Sequence, residues 1–265
     1  MSQTALSVIV STYNQPAALE CILAALRRQT VAPAEIIVAD DGSKPETASV
    51  IHRHQLQPGA SIKHCWHNDQ GFRKTIILNR AITQATHPYI VFLDGDCVPS
   101  RQFIADHARL AEAGYFVQGR RAFIKESAVG DFVAGRVSLL GLAVTGRLSG
   151  LFKAVRLPIP IVRKNQGQRG LIGCNLAIWR EDLLAVNGFD EAYAGWGMED
   201  SDLCSRLYHL GRQRKLVHGR ALVYHLNHPV ASRAQVQTNQ ARLAQVLSQR
   251  TVRCETGLDR HSRAK

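Results

Sequence analysis

Three pairs of carboxylates stand out in a chain that carries 21 acidic residues against 33 Lys and Arg: Asp40-Asp41, Asp94 with Asp96, and Glu199-Asp200. The middle pair follows Tyr89-Ile90-Val91-Phe92-Leu93, a wholly apolar run of strand length introduced by the turn pair His87-Pro88. Carboxylates at the end of a buried strand are costly unless something neutralises them. Gly95 between them permits a tight backbone, so Asp94 and Asp96 can converge on one point. A divalent cation held by oxygen ligands would neutralise both there. A solvated Asp-Gly turn has the same local sequence, so the surrounding chain has to decide between the two.

The elements that must position these residues alternate. Strand patterns cover 5–12, 34–39, 61–66 and 89–93, and helical patterns cover 16–30, 46–54 and 75–85. Such alternation predicts a parallel, doubly wound α/β sheet with right-handed crossovers. Ligands bind beyond the carboxyl ends of such strands. Thr12 to Asn14, Asp40-Asp41 and Asp94 to Asp96 should therefore line one crevice. Further on, the pattern predicts a helix over 101–112, strands over 115–120 and 170–179, and a helix over 180–186. A loop follows, then a helix from Glu199 to Leu210 whose first-turn acids suit the helix dipole. Short strands over 215–217 and 221–224, a helix over 232–253 and a frayed tail to Lys265 complete the chain. This divides it into a half spanning 1–115, a second half spanning 116–230, and a C-terminal helix and tail over 231–265.

The 265 residues are 45% hydrophobic, enough for a sizeable core. The net charge of +12 favours a polyanionic partner, whether nucleic acid, nucleotide phosphates or an anionic membrane surface. Residues 131–164 alternate apolar side chains with Arg136, Arg147, Lys153, Arg156, Arg163 and Lys164, a composition suited to an anionic interface or to an insertion packed on the core. The six cysteines form no C-x-x-C and sit mostly in apolar segments, which fits free thiols in a reducing compartment. There is no basic leader at the N-terminus, and no apolar run reaches the ~20 residues of a membrane span. A cytoplasmic location, with peripheral membrane contact, is the expectation.

Val8-Ile9-Val10-Ser11-Thr12-Tyr13-Asn14, Ile37-Val38-Ala39-Asp40-Asp41-Gly42-Ser43 and Phe92-Leu93-Asp94-Gly95-Asp96 resemble the successive motifs of family 2 glycosyltransferases of the GT-A fold. Gly195-Trp196-Gly197-Met198-Glu199-Asp200 is similar to the W-G-x-E-D element of β-1,4-galactosyltransferases and chondroitin-type polymerases; Ser201 interrupts the acidic run that follows in the former. The resemblance spans roughly residues 5–230. It implies that Thr12 and Asp41 contact the uracil and ribose of a UDP-sugar, and that Asp94 lies near the ribose and metal. Asp96 would ligate Mn²⁺ or Mg²⁺, with His225 as a further ligand and His228 as its alternative. Arg73 or Lys74 would meet the diphosphate. Asp200 would be the catalytic base, with Trp196 and Glu199 holding a glycan or lipid-linked glycan acceptor. The implied activity is inverting, metal-dependent transfer in cell-surface polysaccharide synthesis. Two other classes fit less well. A nucleotidyltransferase should carry a Gly-rich phosphate loop after the first strand, which Ser11 to Gln15 lacks. A nucleic-acid-binding protein should pair a basic stripe with exposed aromatics, whereas the cations are scattered and aromatics make up 6%.

Overall fold

A computed structural model describes residues 4–150, 153, 155–228 and 233–261. The amino-terminal half alternates as the apolar runs predict: β1 (Leu6–Thr12), α1 (Pro16–Arg27), β2 (Glu35–Asp40), α2 (Pro45–Gln55), β3 (Ser61–Trp66), α3 (Lys74–Gln84) and β4 (Tyr89–Asp94). Next come β5 (Cys97–Pro99), α4 (Phe103–Leu110), β6 (Tyr115–Gln118), β7 (Arg120–Ile124), α5 (Glu126–Val133), α6 (Leu139–Val144), β8 (Leu148–Ser149) and β9 (Ile161–Asn165). The remainder is β10 (Asn175–Trp179), α7 (Arg180–Ala185), α8 (Glu199–His209), β11 (Gln213–His218), β12 (Leu222–Leu226) and α9 (Val236–Gln249).

Eight strands form one sheet in the order β3-β2-β1-β4-β10-β6-β11-β9, and four form a second in the order β5-β12-β7-β8. β1, β2, β3 and β4 run parallel. All residues of β1 and β2 are buried, because helices cover both faces of the sheet. Each fully buried Val, Ile or Leu there contributes about 1.5–3 kcal/mol, so register in this region is strongly specified. β10 then enters antiparallel to both β4 and β6, so the sheet is mixed.

Three local expectations change. The strand expected over 115–120 splits at Gly119 into β6 and β7, which belong to different sheets. A side chain at Gly119 would meet the Ala221 carbonyl and the Asn175 amide, so only glycine lets the chain cross between sheets there. The strand expected over 170–179 begins only at Asn175, after a turn through Gly173. The tail is not frayed through residue 261: Leu258 and Cys254 are buried, and the Asn187 amide donates to the Cys254 carbonyl at 3.0 Å. The expected helix start at Ser232 and the last four residues lie outside the described residues. The described residues of segment 131–164 include the end of α5, then α6, β8 and most of β9. Leu142 is buried in the core, and several neighbouring apolar side chains stay exposed.

Candidate active site

The carboxyl ends of β1, β2 and β4 open into a cleft of about 800 Å³. Thr12, Asp41, Lys74, Asp94, Asp96, Trp196, Glu199, Asp200, His225 and His228 all line it. Gly95 makes the approach of Asp94 and Asp96 possible, since a Cβ there would sit 2.3 Å from the Ser11 carbonyl oxygen of β1.

The two carboxylates of this turn are neutralised differently. Asp94 accepts from Lys74 Nζ at 2.7 Å and from Ser11 Oγ at 3.1 Å. Lys74 opens α3; burial works against its charge, but Asp94 and Glu199 outweigh it and raise the ammonium pKa far above the ordinary range. Asp96 instead faces two imidazoles: its Oδ2 lies 2.9 Å from His228 Nε2 and 3.3 Å from His225 Nε2. Burial opposes ionisation of Asp96, yet hydrogen bonds from both histidines hold its carboxyl well below the usual range. His225 sits within β12, not beyond it, and pairs in register with Cys97 of β5 and Phe123 of β7. His228 lies just past the strand, with its ring stacked on His225 at 5.5 Å.

Ligand atoms of Asp96, His225 and His228 all lie within 4.8 Å of one another, the only such cluster of three among the described residues. One carboxylate oxygen and two imidazole nitrogens on one side of an open cleft are a donor set that fits a divalent first-row metal and leaves room for oxygens of a ligand. The sequence reading treated His225 and His228 as alternatives, whereas the fold brings both to Asp96.

Asp41 is buried and already engaged. His67 Nε2 lies 2.7 Å from one oxygen, and the Arg73 backbone N–H donates to the other at 2.9 Å. Burial raises its pKa, with these bonds opposing. Thr12 Oγ1 beside it is buried with no hydrogen-bond partner among the described residues. Lys74 lines the cleft, but the Arg73 side chain is exposed and donates to the Gln70 carbonyl at 3.3 Å.

The opposite wall is a loop. Gly195, Met198 and Gly197 have φ of +70°, +75° and +106°, and Met198 is the residue before α8. This contorted turn leaves Trp196 40% exposed and puts Glu199 and Asp200 in the first turn of the helix. Asn239 of α9, itself buried, donates to the carbonyls of Ala194 at 3.1 Å and Gly197 at 2.9 Å. The Arg233 guanidinium stands 5.6 Å from the centre of the Trp196 ring. Glu199 Oε1 is 3.9 Å from Lys74 Nζ, while Oε2 is buried without a hydrogen-bond partner among the described residues. Burial raises the Glu199 pKa; Lys74 opposes and Asp200 adds to the rise. Asp200 accepts from the Ser201 N–H at 2.7 Å and has no ion pair among the described residues. Gly173 makes room for it, since a Cβ there would come within 2.9 Å of Asp200 Cβ.

Sequence reasoning did not single out Gly173, His67 or Asn239. The one local trace of Asn239 is that it shares helical spacing with Val236 and Leu243, on the face that docks.

A helix-covered sheet whose strand ends carry Asp41, Asp94 and Asp96, with His225 of the second sheet and His228 just past it beside Asp96 and a carboxylate without an ion pair across the open cleft, is the GT-A type of arrangement of a group-transfer enzyme. A model described as Glycosyl transferase family 2 matches residues 7–182, and one described as N-terminal domain of galactosyltransferase matches 158–229. The chain belongs to glycosyl transferase family 2.

It is 30% identical over 218 residues to a validoxylamine A glucosyltransferase of Streptomyces hygroscopicus subsp. limoneus, covering 77% of this chain and 48% of that protein. It is 28% identical over 243 residues to chondroitin synthase of Escherichia coli, covering 84% and 35%. It is also 28% identical over 247 residues to hyaluronan synthase of Pasteurella multocida, covering 84% and 25%. The chain thus spans between a quarter and a half of these curated relatives. Solved structures share the fold: S. aureus TarS 1-349 (TM-score 0.63, 15% identity, 97% of this chain and 68% of that one). Mannosyltransferase PcManGT from Pyrobaculum calidifontis, in complex with GDP-Man and Mn²⁺, is another (TM-score 0.60, 21% identity, 97% and 66%).

Proposed function

We propose that this chain is an inverting, metal-dependent glycosyltransferase that moves a sugar from a UDP-sugar to a glycan or lipid-linked glycan acceptor in surface polysaccharide synthesis. One observation carries the reading. Of the carboxylates lining the cleft, Asp41, Asp94, Asp96 and Glu199 each lie within 4.0 Å of a Lys or His nitrogen, and Asp200 alone has no such neighbour among the described residues. Asp200 is therefore the group available to accept a proton.

Asp200 takes the proton of the acceptor hydroxyl as that oxygen attacks the anomeric carbon. The bond from that carbon to the diphosphate breaks, and UDP leaves from the opposite face with the bonding electrons. No enzyme nucleophile is needed. Trp196 offers its face to the acceptor ring, and the unpartnered Glu199 oxygen binds an acceptor hydroxyl. Thr12 and Asp41 hold the nucleoside, and Asp94, paired with Lys74, lies beside the ribose.

Asp96, His225 and His228 would hold the metal, which supplies Lewis-acid stabilisation of the diphosphate leaving group. Two imidazoles in the donor set favour Mn²⁺ over Mg²⁺, which prefers oxygen ligands. The relatives named as chondroitin and hyaluronan synthases support a polysaccharide acceptor.

The test is UDP release across a panel of UDP-sugars with and without Mn²⁺, with GDP-mannose as the rival donor. At least one UDP-sugar should turn over only with metal. Metal-independent turnover, or binding of no nucleotide sugar at all, would overturn the reading.

A further inference from the structure

A second charged region lies where the edge strand β9 meets the end of β11. His218 closes β11 directly opposite Ile161, and Arg163 lies two residues along β9. Arg120, the first residue of β7, brings a guanidinium nitrogen 2.5 Å from His218 Nε2. Burial first, then the fields of Arg120, Arg163 and Lys153, depress the His218 imidazole, so three cations lie around a neutral ring. The neighbouring ion pairs, Arg156 with Asp106 and Lys164 with Glu112, leave Arg120, Lys153, Arg163 and Arg220 without a carboxylate among the described residues. Arg120 Nε is buried and lacks a hydrogen-bond partner among them.

Aliphatic side chains project from the same segment. Val155 is 50% exposed, Ile159 80% and Ile161 54%. Ile159 sits between Pro158 and Pro160, and its turn is pinned: Arg220 donates to the Pro158 carbonyl, and the Leu157 N–H donates to the Gly219 carbonyl at 3.0 Å. The Leu157 side chain fills the space above Gly219 that a Cβ would need. Leu157 is thus tucked in and Ile159 held out by a rigid turn inside an unneutralised cationic field. Exposed aliphatics in such a setting mark an interaction surface.

We propose that this face docks on an anionic bilayer, with Arg120, Lys153, Arg163 and Arg220 against lipid phosphates and Ile159 in the acyl boundary. Cations and aliphatic tips together match an anionic lipid surface. Single-stranded nucleic acid would instead call for aromatic faces on which bases stack, and among the described residues the exposed apolar side chains of this face are all aliphatic. β7 links the face to the cleft. Phe123, which packs on His225, lies three residues beyond Arg120, about 10 Å along the strand. A bilayer held here would bring lipid-linked material close to the metal-ligand cluster. The proposal stands on this surface alone and does not need the catalytic reading.

The test is co-sedimentation of the intact chain with phosphatidylcholine vesicles, with and without phosphatidylglycerol. Binding should require phosphatidylglycerol and weaken with salt. Ile159→Asp, and separately Lys153→Glu with Arg163→Glu, should each weaken it about tenfold or more. Their Tm and their transfer to a soluble acceptor should stay at wild-type values. Absence of binding to phosphatidylglycerol vesicles, or wild-type binding by both variants, overturns the proposal. So does DNA binding at matched salt that the same variants abolish, since the face would then serve nucleic acid. Failure of the glycosyltransferase reading would look different: transfer absent in wild type and variants alike, with vesicle binding and its loss unchanged.

Discussion

The two walls of the cleft are built on different physical plans. The wall we propose for the donor is a row of strand ends. β1 and β2 are buried throughout, and Asp41, Asp94 and Asp96 are each fixed where a strand stops by a partner from the adjoining loop, helix or strand. The wall we propose for the acceptor is a loop and the start of α8, close against Gly173 just before β10. It is a turn with three residues in left-handed conformations, shaped from outside by Asn239 of a helix 42 positions away. The first wall follows from the sheet, so it should tolerate little change. The second is borrowed from the far end of the chain, so changes in its loop should fall first on the acceptor we propose it binds.

The comparison predicts separable losses. The largest should follow removal of the metal cluster. Asp96→Ala should lower metal-dependent UDP release by about a thousandfold, the several kcal/mol that a Lewis acid supplies at a leaving group. Calorimetry should show Mn²⁺ binding lost with it. Wild-type Mn²⁺ affinity in this variant would remove the donor wall from the argument.

Asp200→Asn comes next. It should cut kcat by roughly 10²–10⁴, the contribution of a positioned general base, and leave UDP-sugar affinity unchanged. Transfer at a normal rate would place the base elsewhere.

Asn239→Ala tests whether the acceptor wall is held from outside. It leaves two carbonyls without their donor, a cost of about 1–3 kcal/mol at the loop. Acceptor KM should rise about tenfold or more while donor affinity and metal binding hold. Equal losses on both substrates would mean that α9 supports the whole fold and not one wall.

The same division governs what the sequence discloses. Parallel buried strands read as near-continuous apolar runs, so β1, β2 and β4 and the carboxylates at the ends of the last two are legible in the sequence. Asp94 and Asp96 are legible as a pair, and the family resemblance gives them separate roles; that Lys74 pairs with Asp94 and that both histidines reach Asp96 depends on tertiary packing. His228 looked like an alternative to His225 since two residues of loose spacing separate them; stacking of the rings makes them partners. Gly119 looks like strand interior, because nothing local shows that Asn175 and Ala221 crowd it. Gly173 likewise looks like strand, though its smallness answers to the Asp200 side chain 27 positions on. Asn239 had only its helical phase to mark it. What escaped was everything fixed by contacts distant in sequence, and the acceptor wall consists of little else.

The smallest expected effect concerns Glu199, which couples the two walls through Lys74. Burial, with Asp200 adding, raises its pKa above that of an unfolded glutamate against the pull of Lys74. The native state therefore disfavours the ionised form. Stability from this group is fully present below the unfolded pKa and is lost as pH rises through the folded one. Glu199→Gln keeps the neutral shape at every pH. The variant should match wild type in acid and become more stable as pH climbs through the weakly acidic range. The gain should reach on the order of 1 kcal/mol, as is common when a strained functional group is neutralised, while acceptor KM worsens. Thermal unfolding of both proteins across that range decides the matter. A gap that stays constant or closes with rising pH would show that Lys74 wins over burial, and that Glu199 belongs electrostatically with Asp94 on the donor wall.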